Sequence, residues 1–177
     1  MAALKADGSF ETWICSSVDE AFERIEAPAG LGIDCPLWWS SAAGGGRLAD
    51  RWIRVTYGIA SGTVQSVNSL KGAVVVQGIM LAMVARKAFP DIPITEAHPK
   101  ALLKAEALQG WSQIAEAYGL NGSEPQSEHE RDALLGAVAA REGALGRWKT
   151  DLATRLGPSE LDPKAIWFGE IHYWWPD

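Results

Sequence analysis

The chain has 177 residues, of which 47% are hydrophobic and 21% are charged. This length and composition predict one soluble globular domain over residues 1–177, with a buried core. The formal net charge of −6 excludes a surface that attracts nucleic acid or anionic membranes as a whole, so a polyanion would need a local basic strip or bridging cations.

No feature of the sequence indicates secretion or membrane insertion. The first residues, "MAALKADGSFETW", lack a basic region followed by a long apolar stretch. The longest apolar run, "GAVVVQGIMLAMVA", is interrupted by Gln77 and is shorter than the roughly 20 residues that span a bilayer. The two cysteines, Cys15 and Cys35, share no metal-ligand spacing and are too few for a disulfide scaffold. We therefore expect a cytoplasmic protein without membrane contact.

The first part of the chain predicts a hairpin, a helix and a buried strand. Asp7-Gly8 is a strong hairpin turn signal. Ser17 can cap a helix that extends to Pro28, with Glu20 placed as in a capping box. The segment "GLGID" then predicts a short apolar strand that ends on Asp34.

The remaining elements alternate between helices and short strands, which predicts an α/β domain. "GRLADRWIR" predicts a short helix, and "SLKGAVVVQGIMLAMVARKAF" predicts a long, largely buried one. A strand ends at Glu96, a helical start follows His98-Pro99, and a short helix is closed by Gly119. Ser127 caps the clearest helix, and "AIWFGEIHYWWP" predicts a final aromatic strand.

Three carboxylates occupy positions where a functional site is expected. Asp34 and Glu96 each end a strand, and Asp132 lies near the start of a helix on its packed side. Strand ends at one edge of an α/β sheet lie close together, and hard oxygen ligands suit Mg²⁺ or Mn²⁺. Two such ions would activate water and stabilise the leaving oxygen in phosphodiester cleavage. The alternative is structural: Asp34 caps a turn, Glu96 pairs with a basic residue, and Asp132 interacts with the helix dipole.

Three blocks of the sequence resemble a family of predicted nucleases with the ribonuclease H-like fold, long catalogued as a domain of unknown function. "GIDCPLWWS…GGRLADRWIR" is similar to the family's "IDxPLG…RxxDxxxR" block, "ITEAHPKALL" to its "EvHPE" block, and "EHERDALLGAVAAREG" to its "DDxxDAlaaAxtAR" helix. The blocks occur in the family's order and cover most of residues 30–143.

The resemblance implies a mixed five-stranded central sheet flanked by helices, and acidic residues gathered for metal-dependent phosphodiester hydrolysis. By position, it assigns metal binding and catalysis to Asp34, Glu96 and Asp132. It places Arg47 and Arg54 in the first block, where we expect them to contact substrate phosphate; the alternative is that these arginines pair with Asp50 and other surface acids. His98 matches the "HP" and is expected either to assist as general acid or base or to fix the loop through Pro99.

Two departures bear on that expectation. The family's first strand carries an Asp in a "GxD" segment, whereas Asp7 of this chain lies in a turn. Either the true start lies upstream of Met1, or one metal ligand is missing. In the second case the first strand is absent, or a shifted hairpin or a partner chain replaces it. A partner chain would make the protein a homo-oligomer. The helix block also reads Glu128-His129 where the family has "DD".

These considerations give two hypotheses. The first is a metal-dependent, nuclease-like enzyme that acts on nucleic acid with Mg²⁺ or Mn²⁺. The second is a catalytically inactive ribonuclease H-like domain that serves as a binding or interaction module. The acids retained in three blocks favour the first, and the missing first-strand acid favours the second.

Overall fold

The computed structural model describes residues 1–177 and shows a mixed α/β domain with six α-helices and seven short strands. The strands are β1 (Ala2–Leu4), β2 (Phe10–Thr12), β3 (Leu31–Ile33), β4 (Ile94–Glu96), β5 (Thr150–Asp151), β6 (Ile171–His172) and β7 (Trp174–Trp175). The helices are α1 (Val18–Phe22), α2 (Leu48–Tyr57), α3 (Gly72–Ala88), α4 (Pro99–Ala105), α5 (Trp111–Tyr118) and α6 (Glu128–Ala144). Short 3₁₀ turns cover Val67–Ser69 and Leu152–Thr154.

The helix ends follow local sequence signals. The Ser17 side chain accepts a hydrogen bond from the Glu20 N–H at the start of α1, and the Ser127 side chain accepts one from the Glu130 N–H at the start of α6. Gly119 ends α5 in the left-handed conformation, where a residue without Cβ meets no steric penalty. The predicted caps and the Gly119 stop are confirmed.

The strands form three small sheets. In the largest, β3, β4 and β6 are parallel in that order, with Leu31 opposite Ile94 and Ile94 opposite Ile171. The hairpin predicted at Asp7-Gly8 is confirmed as the antiparallel pair β1–β2, and β5 pairs with β7 in a second antiparallel ribbon. The five-stranded sheet that the resemblance implies is thus divided, because no strand lies between the hairpin and β3 to join them by hydrogen bonds.

Helices cover both faces of the parallel sheet. A methyl group added at Gly32 would overlap the Gly136 carbonyl oxygen of α6 at 1.8 Å, whereas Ile33 and Cys35 contact Gly78 of α3. Since successive residues of a strand face opposite sides, α6 and α3 lie on opposite faces of β3. The core between these layers includes fully buried Trp38 and Tyr173.

Three predicted elements differ from the structure. Helix α1 ends at Phe22, whereas the sequence predicts that it extends to Pro28. The α3 helix was expected to be largely buried, but only Gly78, Ala82 and Ala85 are, whereas Val76 is 57% exposed. The helix packs on the core through these small residues, with Val75, Ile79 and Leu81 partly buried beside them. The predicted final strand is reduced to β6 and β7, because residues 165–170 form a bend and a turn instead of extended strand.

No helix in the structure combines the length and the apolar character needed to cross a lipid bilayer.

Candidate functional site

The candidate site begins at the carboxyl ends of two adjacent parallel strands. Glu96 is the last residue of β4 and lies opposite Ile33, the last residue of β3. Asp34 follows Ile33 directly, so the structure places Asp34 and Glu96 at the same edge of the sheet. This is the edge at which α/β folds usually hold their ligands.

The packing of α6 on β3 brings Asp132 to the same edge. A methyl group added at Gly30 would lie 3.7 Å from Ala140 Cβ, and one added at Gly32 would overlap Gly136, so α6 runs antiparallel to β3. Two strand residues advance about 6.6 Å and four helix residues about 6 Å. One further step of this register leads from Gly32 and Gly136 to Asp34 and Asp132; Asp34 itself follows the strand in a tight turn, in which the Cys35 N–H donates to the Ile33 carbonyl at 2.8 Å.

The electrostatic surroundings of the two aspartates agree with this placement. The pKa of Asp34 is raised to about 6, chiefly because protein replaces water around the carboxyl group, although the residue as a whole is exposed. The negative charges of Asp132 and Glu96 add to the rise in pKa, and His98, when protonated, and Lys100 oppose it. Asp34 thus lies within the field of both other predicted acids.

Asp132 is buried and incompletely paired. Burial raises the pKa of its carboxyl group, with Arg131 and Lys100 opposing the rise. Its Oδ1 atom is inaccessible to solvent and has no hydrogen-bond partner. An unpaired carboxylate oxygen in this position is costly unless a cation or a proton compensates it.

Glu96 has a different environment from the two aspartates, because it is held by Arg47. The Arg47 Nη1 and Nη2 groups donate to Glu96 Oε2 at 2.7 Å and Oε1 at 2.6 Å, and the Leu37 N–H donates to Oε2 at 3.0 Å. Both side chains are about 1% exposed. Burial raises the pKa of Glu96, and the two charge-assisted hydrogen bonds from Arg47 counter that rise.

Arg47 has no N–H group left for a substrate. Its Nε and Nη2 groups also donate to Asp50 at 2.9 and 2.7 Å, and Nη1 donates to the Trp38 carbonyl at 3.2 Å. The guanidinium carbon lies 4.2 Å from the centre of the Trp38 ring. All five N–H donors are therefore used inside the protein, and the phosphate contact expected of Arg47 does not fit its buried position.

The other two predicted residues hold loops. Arg54 Nη1 donates to the Val64 carbonyl at 3.0 Å, which ties α2 to the segment that follows it. His98 precedes α4, and its Nε2 lies 2.9 Å from the Thr63 carbonyl oxygen. Because a carbonyl oxygen only accepts, Nε2 carries the proton, and Nδ1 of the neutral ring is left as an acceptor.

Lys100, Arg131 and Glu128 also border the aspartate pair, and of these only Glu128 is singled out by the sequence, at the position where the resemblance expects "DD". Lys100 Nζ lies 3.0 Å from Glu128 Oε1, and Arg131 Nη2 lies 3.9 Å from the same oxygen. The signals were present in the sequence: Lys100 comes two residues after His98, and Glu128 lies four residues before Asp132 on α6.

These contacts reduce the number of side chains that could bind a divalent cation. No cluster of three or more His, Cys, Asp or Glu side chains in the structure has the arrangement of a metal site. Both oxygens of Glu96 are engaged by Arg47, which leaves the carboxylates of Asp34 and Asp132 as the hard-oxygen donors that no basic residue holds. A site for one cation with bound waters fits this donor set better than a site for two.

The comparison with protein families gives one match. The family described as "Protein of unknown function (DUF429)" matches residues 1–149, and the chain belongs to this family. No curated protein and no solved structure matches the chain. Residues 150–177, which supply β5, β6 and β7, lie outside the family match.

Proposed function

For this member of the DUF429 family, we propose a cation-dependent hydrolase that cleaves phosphodiester bonds in nucleic acid, with Asp34 and Asp132 as the cation ligands. The observation that carries the proposal is the convergence of these two carboxylates at one edge of the sheet, with Asp132 Oδ1 buried and unpaired. Repulsion between two such carboxylates is relieved by a divalent cation bound to both.

The proposed fold is a reduced ribonuclease H-like domain. Supporting it are the parallel strands β3 and β4 with acids at their carboxyl ends, and a helix that crosses β3 carrying a third acid. In this proposal Glu96 does not bind the cation directly. Held by Arg47, it adds negative charge near Asp34 and fixes the Leu37 backbone that follows the site.

The protein residues divide the chemistry between them. Mg²⁺ or Mn²⁺, when bound, would lower the pKa of a coordinated water and polarise a phosphate oxygen. Asp34 and Asp132 would hold the cation. The hydrogen bond to the Thr63 carbonyl fixes His98 with Nδ1 free to accept a proton, so His98 is the proposed general base.

Cleavage of single- and double-stranded DNA and RNA in Mn²⁺ tests the proposal. We expect Asp34→Asn and Asp132→Asn each to lower the cleavage rate by at least about 100-fold, since loss of a group that merely orients a metal ligand already costs about 10–100-fold. The matched control is Asp91→Asn, because Asp91 is exposed in the turn before β4, at the opposite end of that strand. Equal cleavage rates for the wild type and Asp34→Asn would remove Asp34 from the mechanism.

A second candidate function is a non-catalytic binding domain of the same fold. The observation that favours it is that Arg47 pairs with both Glu96 and Asp50. Fewer than three of the predicted acids therefore remain free to bind a metal. Electron paramagnetic resonance of bound Mn²⁺ separates the two functions. Cation binding that depends on Asp34 and Asp132, together with cleavage, supports the enzyme, whereas nucleic-acid binding without either supports the binding domain.

A further inference from the structure

Two basic side chains share one acidic partner at the rim of the aspartate pair. Lys100 Nζ and Arg131 Nη2 lie 3.0 and 3.9 Å from Glu128 Oε1. The Lys100 and Glu128 side chains are 55% and 54% exposed. A single carboxylate oxygen thus lies between an ammonium and a guanidinium group that both reach solvent.

This group of three lies beside the proposed cation ligands. Lys100 is the second residue of α4, which packs against α6. Glu128 and Asp132 are four residues apart on α6, and residues with this spacing lie on the same face of a helix. The positive charge of Lys100 lowers the pKa of both Asp34 and Asp132, which agrees with a position between the two.

Arg131 has unused hydrogen-bonding capacity. Its Nε atom is shielded from solvent and has no partner, although the side chain as a whole is 29% exposed. Its contact with Glu128 at 3.9 Å is beyond hydrogen-bond distance. Glu128 therefore satisfies Lys100 but leaves the guanidinium group of Arg131 largely without an acceptor.

A phosphate group matches this arrangement better than the Glu128 carboxylate does. Exposed ion pairs contribute only about 0–1 kcal/mol, so Glu128 can leave at little cost. A phosphate presents several acceptor oxygens, and a guanidinium group binds two of them at once. A phosphate in place of the carboxylate could contact Lys100 and Arg131 together.

We propose that Lys100 and Arg131 form a phosphate-binding subsite at the mouth of the Asp34–Asp132 pair, and that Glu128 occupies it when no substrate is bound. The subsite rests on the proposed function in one respect: its ligand is a backbone phosphate of the nucleic acid that the aspartates act on. The subsite would make the phosphate contact that the sequence predicts for Arg47, whose N–H donors are all used inside the protein.

Three substitutions test the subsite through the sign of their effects. Lys100→Gln and Arg131→Gln should each weaken binding of a single-stranded oligonucleotide about tenfold, and should reduce the slope of log affinity against log salt by about 0.7. Glu128→Gln should strengthen binding, because it removes the competing charge. Lys87→Gln is the control, since Lys87 is exposed at the end of α3 and makes no ion pair.

Opposite changes in oligonucleotide affinity for Lys100→Gln and Glu128→Gln distinguish a phosphate subsite from a structural ion pair. If the Lys100–Glu128 contact served only to join α4 to α6, Lys100→Gln and Glu128→Gln would change binding in the same direction, and the proposal would be overturned. Unchanged affinity in Lys100→Gln and Arg131→Gln would overturn it as well. Binding is measured by fluorescence anisotropy in EDTA, and each variant's fold is checked by its thermal unfolding midpoint.

The same proteins distinguish failure of the subsite from failure of the proposed function. Mn²⁺-dependent cleavage that requires Asp34 but is unaffected by Lys100→Gln and Arg131→Gln would leave the enzyme and remove the subsite. Binding that changes with the predicted signs, without any Mn²⁺-dependent cleavage, would leave a phosphate-binding site and remove the hydrolase.

Discussion

At the scale of single residues, the three predicted acids have three different environments. Asp34 is exposed as a whole residue, Asp132 is buried with one oxygen unpaired, and Glu96 is buried and fully hydrogen-bonded. A carboxylate held by two guanidinium N–H groups and a backbone N–H serves mainly to fix its neighbours. The two aspartates are the acids with capacity left for an external cation.

The raised pKa of Asp34 predicts how stability changes with pH. Its pKa is about 6 in the folded protein against an ordinary value of 3.8, so the folded state holds the proton more tightly than the unfolded state. This stabilisation is complete below the ordinary pKa and is lost as the pH rises through about 6. Without a divalent cation, ionised Asp34 therefore disfavours the folded state near neutral pH.

Asp34→Asn removes that charge and should stabilise the protein in EDTA at about pH 7.5, by about 1 kcal/mol or less because Asp34 is exposed and solvent screens its charge. At about pH 4.5 the advantage should disappear, since Asp34 is then protonated in the folded state. Urea unfolding at the two pH values measures both effects, with Asp91→Asn as the control. A gain that is the same at both pH values would show that the Asp34 charge is not its origin.

The sequence predicted both aspartates and, as its structural alternative, the pairing of Glu96 with a basic residue, which is confirmed, but it did not identify that residue as Arg47. Asp34 and Glu96 were predictable because each ends a short apolar run, which fixes them at a strand's carboxyl end. The Arg47–Asp50 contact spans one helical turn and was visible as a spacing. The Arg47–Glu96 pair joins residues 49 positions apart, and only the packing of α2 near the end of β4 brings them together.

At the scale of secondary-structure elements, the site depends on the close approach of α6 to β3. Gly32 and Gly136 let the two backbones meet, and this contact sets the register that brings the start of α6, with Asp132, toward the end of β3 that Asp34 follows. Local signals predicted both elements correctly, because caps and apolar runs are short-range features. They carried no information on how far along the strand the helix would lie, which the contact between two glycines decides.

Gly32→Ala should therefore damage both stability and the site. The new Cβ would lie 1.8 Å from the Gly136 carbonyl oxygen, so α6 must move away from β3. We expect a loss of about 1–3 kcal/mol in the free energy of unfolding, as for other overpacked contacts, and weaker Mn²⁺ binding because the two aspartates separate.

Gly30→Ala is the matched control on the same face of the same segment. Its Cβ would meet Pro93 at 3.4 Å and Ala140 at 3.7 Å, which are ordinary van der Waals distances, so stability should change by less than about 1 kcal/mol. Urea unfolding and Mn²⁺ titration are measured on both variants. Similar losses in the two would mean that the Gly32–Gly136 approach does not set the position of α6.

At the scale of the whole molecule, residues 150–177 complete a domain that the family match covers only to residue 149. Strand β6 pairs with β4 and gives the parallel sheet its third strand. Glu160 accepts hydrogen bonds from the Leu48 N–H at the start of α2, at 2.7 Å, and from Trp38 Nε1 at 3.1 Å. The segment thus supports the end of the helix that carries Asp50 and the loop beside Arg47.

A chain that ends at residue 149 should not fold. Ile171, Tyr173 and Trp175 are each no more than 1% exposed, and their removal would forfeit about 1.5–3 kcal/mol per side chain. The sum, about 5–9 kcal/mol, is comparable to the whole stability of a typical domain, about 5–15 kcal/mol. The loss of β6 would also leave the backbone groups of β4 without partners on one side.

Circular dichroism and thermal unfolding of the shortened chain measure this dependence. We expect no cooperative transition, whereas the full chain with Trp167→Ala should unfold within about 1 kcal/mol of the wild type, because Trp167 is an aromatic residue of the same segment that is 64% exposed. This control separates the buried aromatic residues of the segment from the exposed one. If the shortened chain unfolds cooperatively at the wild-type midpoint, residues 1–149 form a complete core. The 28 residues 150–177 would then contribute nothing to the stability of the sheet that positions Asp34 and Glu96.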